Sequence, residues 1–141
     1  MKHNAILTDV THTDRPHESA IKHVTGAADY TDDIAEPAGT LHAYLGLSDI
    51  AHGEIADMDF SELVAQPGVV GVLTAQDIPG LNDISPTGLN DEPVFAEGKV
   101  EFWGQPVFAV IAHSRDAARR AAKCAKITWR PLPHASDIDA A

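Results

Sequence analysis

Residues 107–112, Val-Phe-Ala-Val-Ile-Ala, set six apolar side chains in a row, and Ser114 and an alanine-rich segment follow at once. A strand open to water on one face would alternate, so an unbroken apolar run reads as a central strand covered on both faces. Ser114 is a good N-cap for a helix over residues 115–125. Within it Ala117, Ala118, Ala121, Ala122 and Ala125 recur at helical spacing as a narrow stripe. Such small side chains let the helix axis approach a sheet closely. The opposite face carries Arg115, Asp116, Arg119, Arg120 and Lys123. Asp116 can pair with Arg120 four residues on, and cations toward the C-terminal end suit the helix dipole. A fold that accommodates this chain therefore lays one helix on a sheet with residues 107–112 at its centre.

Shorter signals supply the rest. Leu41, Ala43, Leu45 and Leu47 alternate with His42, Tyr44, Gly46 and Ser48, a period of two that reads as a half-buried strand. Ala51-His52-Gly53 turns the chain into a second strand over residues 54–58. Asp59 can start a short helix, with Glu62 reaching back in a capping box and Leu63 and Val64 on the buried side. Gln66-Pro67-Gly68 ends it, because the residue before proline avoids the helical region. Residues 69–73 are β-branched and apolar, hence a strand. Residues 74–77 can form one helical turn. Residues 79–93 lack periodicity and hold Pro79, Gly80, Pro86, Gly88 and Pro93. Long loops of this kind are functional, partner-covered or mobile, and both this loop and residues 1–14 are expected to be mobile. Residues 99–103 read as a strand with Val100 and Phe102 inward. Ile127 and Trp129 alternate with Lys126, Thr128 and Arg130 in a last strand that Pro131-Leu132-Pro133 stops. Ser136-Asp137-Ile138-Asp139 reads as a helix start with no helix body behind it, as in a chain cut short. The mixture of elements predicts an α+β domain with a mixed or antiparallel sheet, one short helix and one longer helix. The expected organisation is a polar arm over residues 1–16, one domain over residues 17–135, and the start of a further segment at residues 136–141.

Length and charge narrow the functions open to the chain. At 141 residues and 44% hydrophobic content it can bury a core without covalent staples. The single cysteine, Cys124, cannot close an internal disulfide. No run approaches the roughly 20 apolar residues of a membrane span. The expectation is a cytoplasmic domain without membrane contact. Net charge is −11, and no Lys or Arg occurs from His23 to Gly98. Arg115, Arg119, Arg120, Lys123, Lys126 and Arg130 then crowd into one segment. An acidic body lacks the basic footprint of a nucleic-acid binder. The charge asymmetry reads as a solvated surface or as a polarised docking face for a partner subunit.

Motifs for chemistry are sparse. The eight histidines (His3, His12, His17, His23, His42, His52, His113 and His134) show neither His-Glu-x-x-His nor helical pairing, and no Cys-x-x-Cys is present. Cys124, near the buried stripe, reads as a small packing hydrophobe. One thiol cannot hold an iron–sulfur cluster by itself. Trp103-Gly104-Gln105-Pro106 reads as a structural turn into the apolar strand. No Gly-x-Ser-x-Gly elbow, Walker loop or Gly-x-Gly-x-x-Gly occurs. No catalytic, cofactor-binding or metal residue is assigned.

Order and spacing of motifs carry a resemblance. Residues 19–34, SAIKHVTGAADYTDDI, lead to Thr40-Leu41-His42 and Ala51-His52. Gln66-Pro67-Gly68-Val69 and Leu73-Thr74-Ala75-Gln76-Asp77-Ile78-Pro79-Gly80 follow. Then come Asp91-Glu92-Pro93-Val94-Phe95, Val100-Glu101-Phe102-Trp103-Gly104-Gln105-Pro106-Val107, residues 117–122 and residues 129–133. Each is weak alone. Together, from Pro16 to Ala141, they resemble the opening of the molybdenum-binding subunit in the aldehyde oxidase and xanthine dehydrogenase family. Members often carry a small residue such as alanine after the histidine of the first turn, where this chain has Gly53. The resemblance implies an α/β hammerhead fold. It implies a parent that hydroxylates xanthine or hypoxanthine with water as oxygen source, passing electrons from molybdopterin through 2Fe-2S clusters and FAD to NAD. Aldehyde- or carbon monoxide-oxidising relatives and a stand-alone interaction module are the alternatives. It further implies that the molybdenum cofactor and catalytic glutamate belong to later domains, and that the family's glycine-glutamine motif near molybdenum is not the one at Gly104-Gln105. The isolated segment is expected to be inactive and to hold no cofactor. Its expected partners are the remaining domains of the molybdenum subunit and the iron–sulfur/FAD subunit.

Overall fold

The alternating residues 41–48 do form a strand, but their leucines face outward. The computed structural model describes residues 16–135 and 137–140. Its elements are α1 (Ala20–Thr25), β1 (His42–Leu47), β2 (Gly53–Asp59), α2 (Ser61–Val64), β3 (Val69–Leu73), β4 (Lys99–Val100), β5 (Pro106–Ala112), α3 (Arg115–Ala122) and β6 (Lys126–Pro131). Short 3₁₀ turns occupy Thr31–Asp33, Ala75–Asp77 and Ile138–Ala140. The chain divides into two compact units, residues 1–37 and residues 38–141.

In the first unit α1 ends at Gly26, whose left-handed φ of 72° suits a residue without a Cβ. Asp33 accepts the Tyr30 N–H at 3.1 Å, and the Tyr30 hydroxyl lies 3.0 Å from His23 Nδ1. These bonds shape the segment without a core, since no residue of α1 is buried. Val24 is 85% exposed, and Ile21 and Ile34 are also exposed.

In the second unit the strands form two three-stranded sheets, ordered β1-β5-β3 and β4-β2-β6. Their pairings are antiparallel. The expected α+β class holds, with the strands divided between two sheets. The apolar run 107–112 is the middle strand, β5. Phe108, Val110 and Ala112 point to one side, where Ala117, Ala118 and Ala121 of α3 close over them in a single core cluster with Leu63, Val100 and Val107. The alanine stripe thus performs the close approach its size allows. The Ser114 hydroxyl accepts the Ala117 N–H at 3.1 Å, the N-cap expected from sequence. The helix stops at Ala122, short of residue 125, and irregular turns carry the chain into β6.

The other side of the same sheet is open. Ala43 and Leu45 of β1 pair with Ile111 and Ala109, and Gly71 and Leu73 of β3 pair with the same two residues. Paired residues share a face, so the apolar set of β1 joins this open side. Leu45 is 47% exposed and Leu73 is 41% exposed. The core-facing positions of β1 are His42, Tyr44 and Gly46. Gly46 has no room for a side chain, because a Cβ there would lie 2.1 Å from the Phe108 ring.

Two further expectations are corrected. Residues 99–103 continue as a strand only through Val100, which is buried, while Phe102 and Trp103 turn outward, Trp103 at 69% exposure. Glu62 does not reach back to cap α2. Asp59 accepts the Ser61 N–H at 2.8 Å, and Glu62 pairs with Lys126 of β6. A long-range cation outcompetes the local backbone for that carboxylate. The helical turn at 74–77 forms with Thr74 and Asp77 as a reciprocal capping box.

Candidate functional site

The turn before β5 gathers the most buried polar side chains. Gln105 is only 4% exposed, and its Oε1 accepts the Glu101 N–H at 2.7 Å. Gly104 takes φ 85° there and donates its N–H to the Ser48 carbonyl at 2.9 Å. Ser48 returns the bond from its own N–H to the Gln105 carbonyl at 2.9 Å. Buried Ser48 also donates its hydroxyl to the Ile50 carbonyl at 2.7 Å. These side-chain oxygens are all paired with backbone groups, and no buried side-chain nitrogen or oxygen among the described residues lacks a partner. This arrangement fixes the end of β1 against the start of β5.

Residues 79–93 lean on the same turn. Asn82 mimics a peptide unit, donating Nδ2–H to the Phe95 carbonyl at 2.8 Å and accepting the Phe95 N–H at 3.1 Å. The Ile84 N–H reaches the Glu92 carbonyl at 2.9 Å. The loop is therefore tied at its base, and its apolar Leu81, Ile84 and Leu89 are exposed. Beside it lies an open cleft of about 660 Å³ lined by Asp83, Asp91, Glu97, Lys99, Glu101 and Gln105 among others. Lys99 bridges to Glu101 at 2.7 Å, and that hydrogen bond holds the Glu101 carboxyl below its usual value. Nothing in the sequence pattern marked Asn82. Its partner lies 13 residues away, and no local motif encodes such a clamp.

The basic segment is largely neutralised where it stands. Arg120 pairs with Asp116, as the helical spacing predicts. Arg130 meets Glu54 at 2.6 Å because β2 and β6 place the two opposite each other. Lys126, also on β6, meets Glu62, and that hydrogen bond raises its pKa. Asp59 is held low, chiefly by its hydrogen bonds from Ser61. Exposed pairs like these contribute little apiece. Of the two readings of the charge asymmetry, these local pairs favour a solvated surface over a polarised docking face; Arg119 on α3 and Lys123 just after it are exposed.

The histidines are dispersed. His52 Nδ1 lies 2.8 Å from the Pro133 carbonyl, joining the β1–β2 turn to the end of β6. His17 Nδ1 accepts the Ser19 N–H at 3.1 Å. His134 stays beside the Leu132 carbonyl. His3 and His12 lie outside the described residues. Half-buried Cys124 rests its Sγ 3.8 Å from the Arg120 carbonyl. Among the described residues no group of three or more His, Cys, Asp or Glu side chains could hold a metal ion. No described helix is long and apolar enough to cross a membrane. What the geometry offers is surface: an open sheet face, a tied loop with an apolar tip, and an outward Phe102-Trp103 turn.

The aldehyde oxidase and xanthine dehydrogenase a/b hammerhead domain model matches residues 25–133. The chain belongs to the aldehyde oxidase and xanthine dehydrogenase family. Xanthine dehydrogenase of Oryza sativa is 42% identical over 125 residues, which are 89% of this chain and 9% of that protein. Aldehyde oxidase 3 of Rattus norvegicus is 41% identical over 116 residues, 82% of this chain and 8% of that protein. The aldehyde oxidoreductase structure from Desulfovibrio desulfuricans superposes with a TM-score of 0.74 at 34% identity, covering 84% of this chain and 14% of that one. The α/β hammerhead fold is thereby shown. The chain spans about a tenth of the length of the curated relatives it matches. Gly53 is tightly enclosed here. A Cβ would lie 2.5 Å from Ile50 Cδ1 and 2.9 Å from the Arg130 carbonyl oxygen.

Proposed function

We propose that this chain is the first, scaffolding domain of the molybdenum subunit of a xanthine dehydrogenase, and that it positions neighbouring domains without touching the reacting atoms. The observation that carries the reading is the 42% identity to the rice enzyme across 89% of this chain, set against only 9% of that enzyme. The parent reaction is hydroxylation of xanthine or hypoxanthine with electron transfer through molybdopterin, iron–sulfur clusters and FAD to NAD. The described residues do not fit the molybdenum cofactor. They hold no cluster of metal donors, and their buried polar atoms are already paired. The domain's work is shape: the end of β1 fixed against the start of β5 by the Ser48–Gln105 turn, a tied loop and exposed apolar surface for partners.

Two measurements test this. The isolated chain should show no xanthine-dependent NAD reduction, and turnover by it would overturn the scaffold role. Grafted into the rice enzyme in place of the matching segment, the chain should support assembly and xanthine hydroxylation. A graft that folds but cannot assemble would count against the reading. The 41% identity to the rat aldehyde oxidase favours a second reading, the same domain in an aldehyde-hydroxylating parent. Relative turnover of xanthine and aromatic aldehydes by the complete enzyme separates the two.

A further inference from the structure

We infer that the cleft at the Trp103-Gly104-Gln105-Pro106 turn is a binding site for a small, planar, uncharged lactam heterocycle, with the Gln105 amide as its hydrogen-bond donor. The inference goes beyond the parent reading and does not depend on it. Gln105 is 4% exposed, and its Oε1 accepts the Glu101 N–H at 2.7 Å. Only the oxygen of the amide can accept that N–H, so the bond fixes which way the amide points. Its Nε2 carries two donor hydrogens and makes no hydrogen bond among the described residues. Every side-chain nitrogen and oxygen sealed from solvent among those residues is paired, so this nitrogen is reached from outside. Gln105 lines the acidic cleft beside residues 79–93 and an adjoining one of about 350 Å³, and it is there that the nitrogen opens. A donor held rigidly in a nearly buried side chain, with no partner in the protein, calls for an acceptor on a ligand.

The adjoining cleft supplies the rest of what such a ligand needs. Ile84, Pro93, Val94, Phe102 and Pro106 form apolar walls, and Phe102, at 55% exposure, leaves much of its ring available for stacking. Asp91, Glu92 and Glu101 place acceptors at the rim. Glu101 is engaged by Lys99, whereas the Asp91 and Glu92 carboxylates have no ion pair or hydrogen bond among the described residues. One donor beside free acceptors matches a ring that carries a carbonyl next to a ring N–H, which is a lactam. The carboxylates repel anions, so nucleotides and phosphate-bearing cofactors are excluded. The volume lies at the small end of the roughly 300–1,000 Å³ of ligand pockets, which suits one or two fused rings. The walls stand before a ligand arrives. The Glu92 N–H bonds Asp83 Oδ1 at 3.2 Å, the Ile84 N–H bonds the Glu92 carbonyl at 2.9 Å, and the Ala96 N–H bonds the Pro106 carbonyl at 2.8 Å. A cleft already ordered in this way costs a ligand little to occupy.

The test titrates hypoxanthine, a neutral bicyclic lactam, into the 141-residue chain at neutral pH, followed by calorimetry and by the NMR signals of the amides. Hypoxanthine should shift the Gln105 side-chain amide and the Glu101 backbone N–H together. Purine, which lacks the carbonyl, should bind about tenfold more weakly, and inosine 5′-monophosphate more weakly still. Gln105→Glu keeps an oxygen for the Glu101 N–H while removing the donor, and should weaken hypoxanthine about tenfold or more. Phe102→Ala, at a site already half in water, should weaken it about threefold to tenfold with the melting temperature nearly unchanged. Val64→Asp, on α2 away from the cleft, should leave the affinity as it was. If Gln105→Glu does not fold, Phe102→Ala and the shift of the Gln105 amide decide the matter. An unmoved Gln105 amide would overturn the inference, and so would equal binding of purine or the monophosphate, or full affinity with Phe102→Ala. No turnover is read, so failure here leaves the parent reading intact, and failure of the parent reading leaves this site to stand on its own titration.

Discussion

The two faces of the β1-β5-β3 sheet are built from the same strands, one residue out of step, and they behave oppositely. On one, Phe108, Val110 and Ala112 disappear under alanines of α3. On the other, Leu45 and Leu73 are left 47% and 41% exposed. Hydrophobicity does not separate them, for the open face holds the larger aliphatic chains of the edge strands. What separates them is the presence of a helix with a surface small enough to close down. Burial belongs to the fit between elements, and an apolar strand face finds its partner inside the domain or outside it.

The largest test of this contrast exchanges one charge between the faces. Val110→Asp places a carboxylate in the closed core and should cost more than about 4 kcal/mol, or prevent folding, whereas Leu45→Asp should change chemical denaturation of the isolated chain by about 0.5 kcal/mol or less. Equal losses would erase the distinction. Next comes the strand position that the closed face denies a side chain. Gly46→Ala should cost about 1–3 kcal/mol by overpacking against Phe108. Combining it with Phe108→Leu should recover part of the loss in a double-mutant cycle. Ser114→Ala removes the cap that holds the covering helix and should cost about 1 kcal/mol by the same measurement.

The smallest effect concerns the surface pairs, which belong to neither face. Asp59 and Glu101 are depressed, so what they contribute is present above the usual carboxylate range and is lost as pH falls through their lowered values. Lys126 is raised, so its contribution is full below the usual lysine value and is lost as pH rises through the raised one. Melting temperature against pH should show a plateau between these ranges with shallow edges, and Lys126→Met should flatten the alkaline edge. A steep neutral-pH transition would contradict this assignment.

Legibility in the sequence followed the range of each interaction. The Ser114 cap, the helical turn at residues 74–77 and the Asp116–Arg120 pair span three or four residues, and local pattern was enough to find them. Residues 107–112 were readable as the central strand because an unbroken apolar run has few other uses. Glu62 was misread because its partner, Lys126, lies 64 positions away. Phe102 was assigned inward by alternation, but β4 pairs with β2 only at Lys99 and Val100, and the chain then turns away. The helix α1 went unmarked, and it forms without burying a side chain. Of the surface features, the family resemblance was legible as ordered motifs, whereas the Asn82 clamp and the Gly46–Phe108 contact join residues that no motif connects.

The order of residues alone determined the approximate places of most strands and of the two later helices, which strand is apolar enough for the centre, and the family resemblance. Those properties arise from backbone preference, side-chain period and short-range hydrogen bonds, all written within a few positions. Only the tertiary structure decided which face of β1 meets the core. A period of two distinguishes the faces but says nothing about where the helix lands, and pairing with β5 together with the space taken by Phe108 settles that choice.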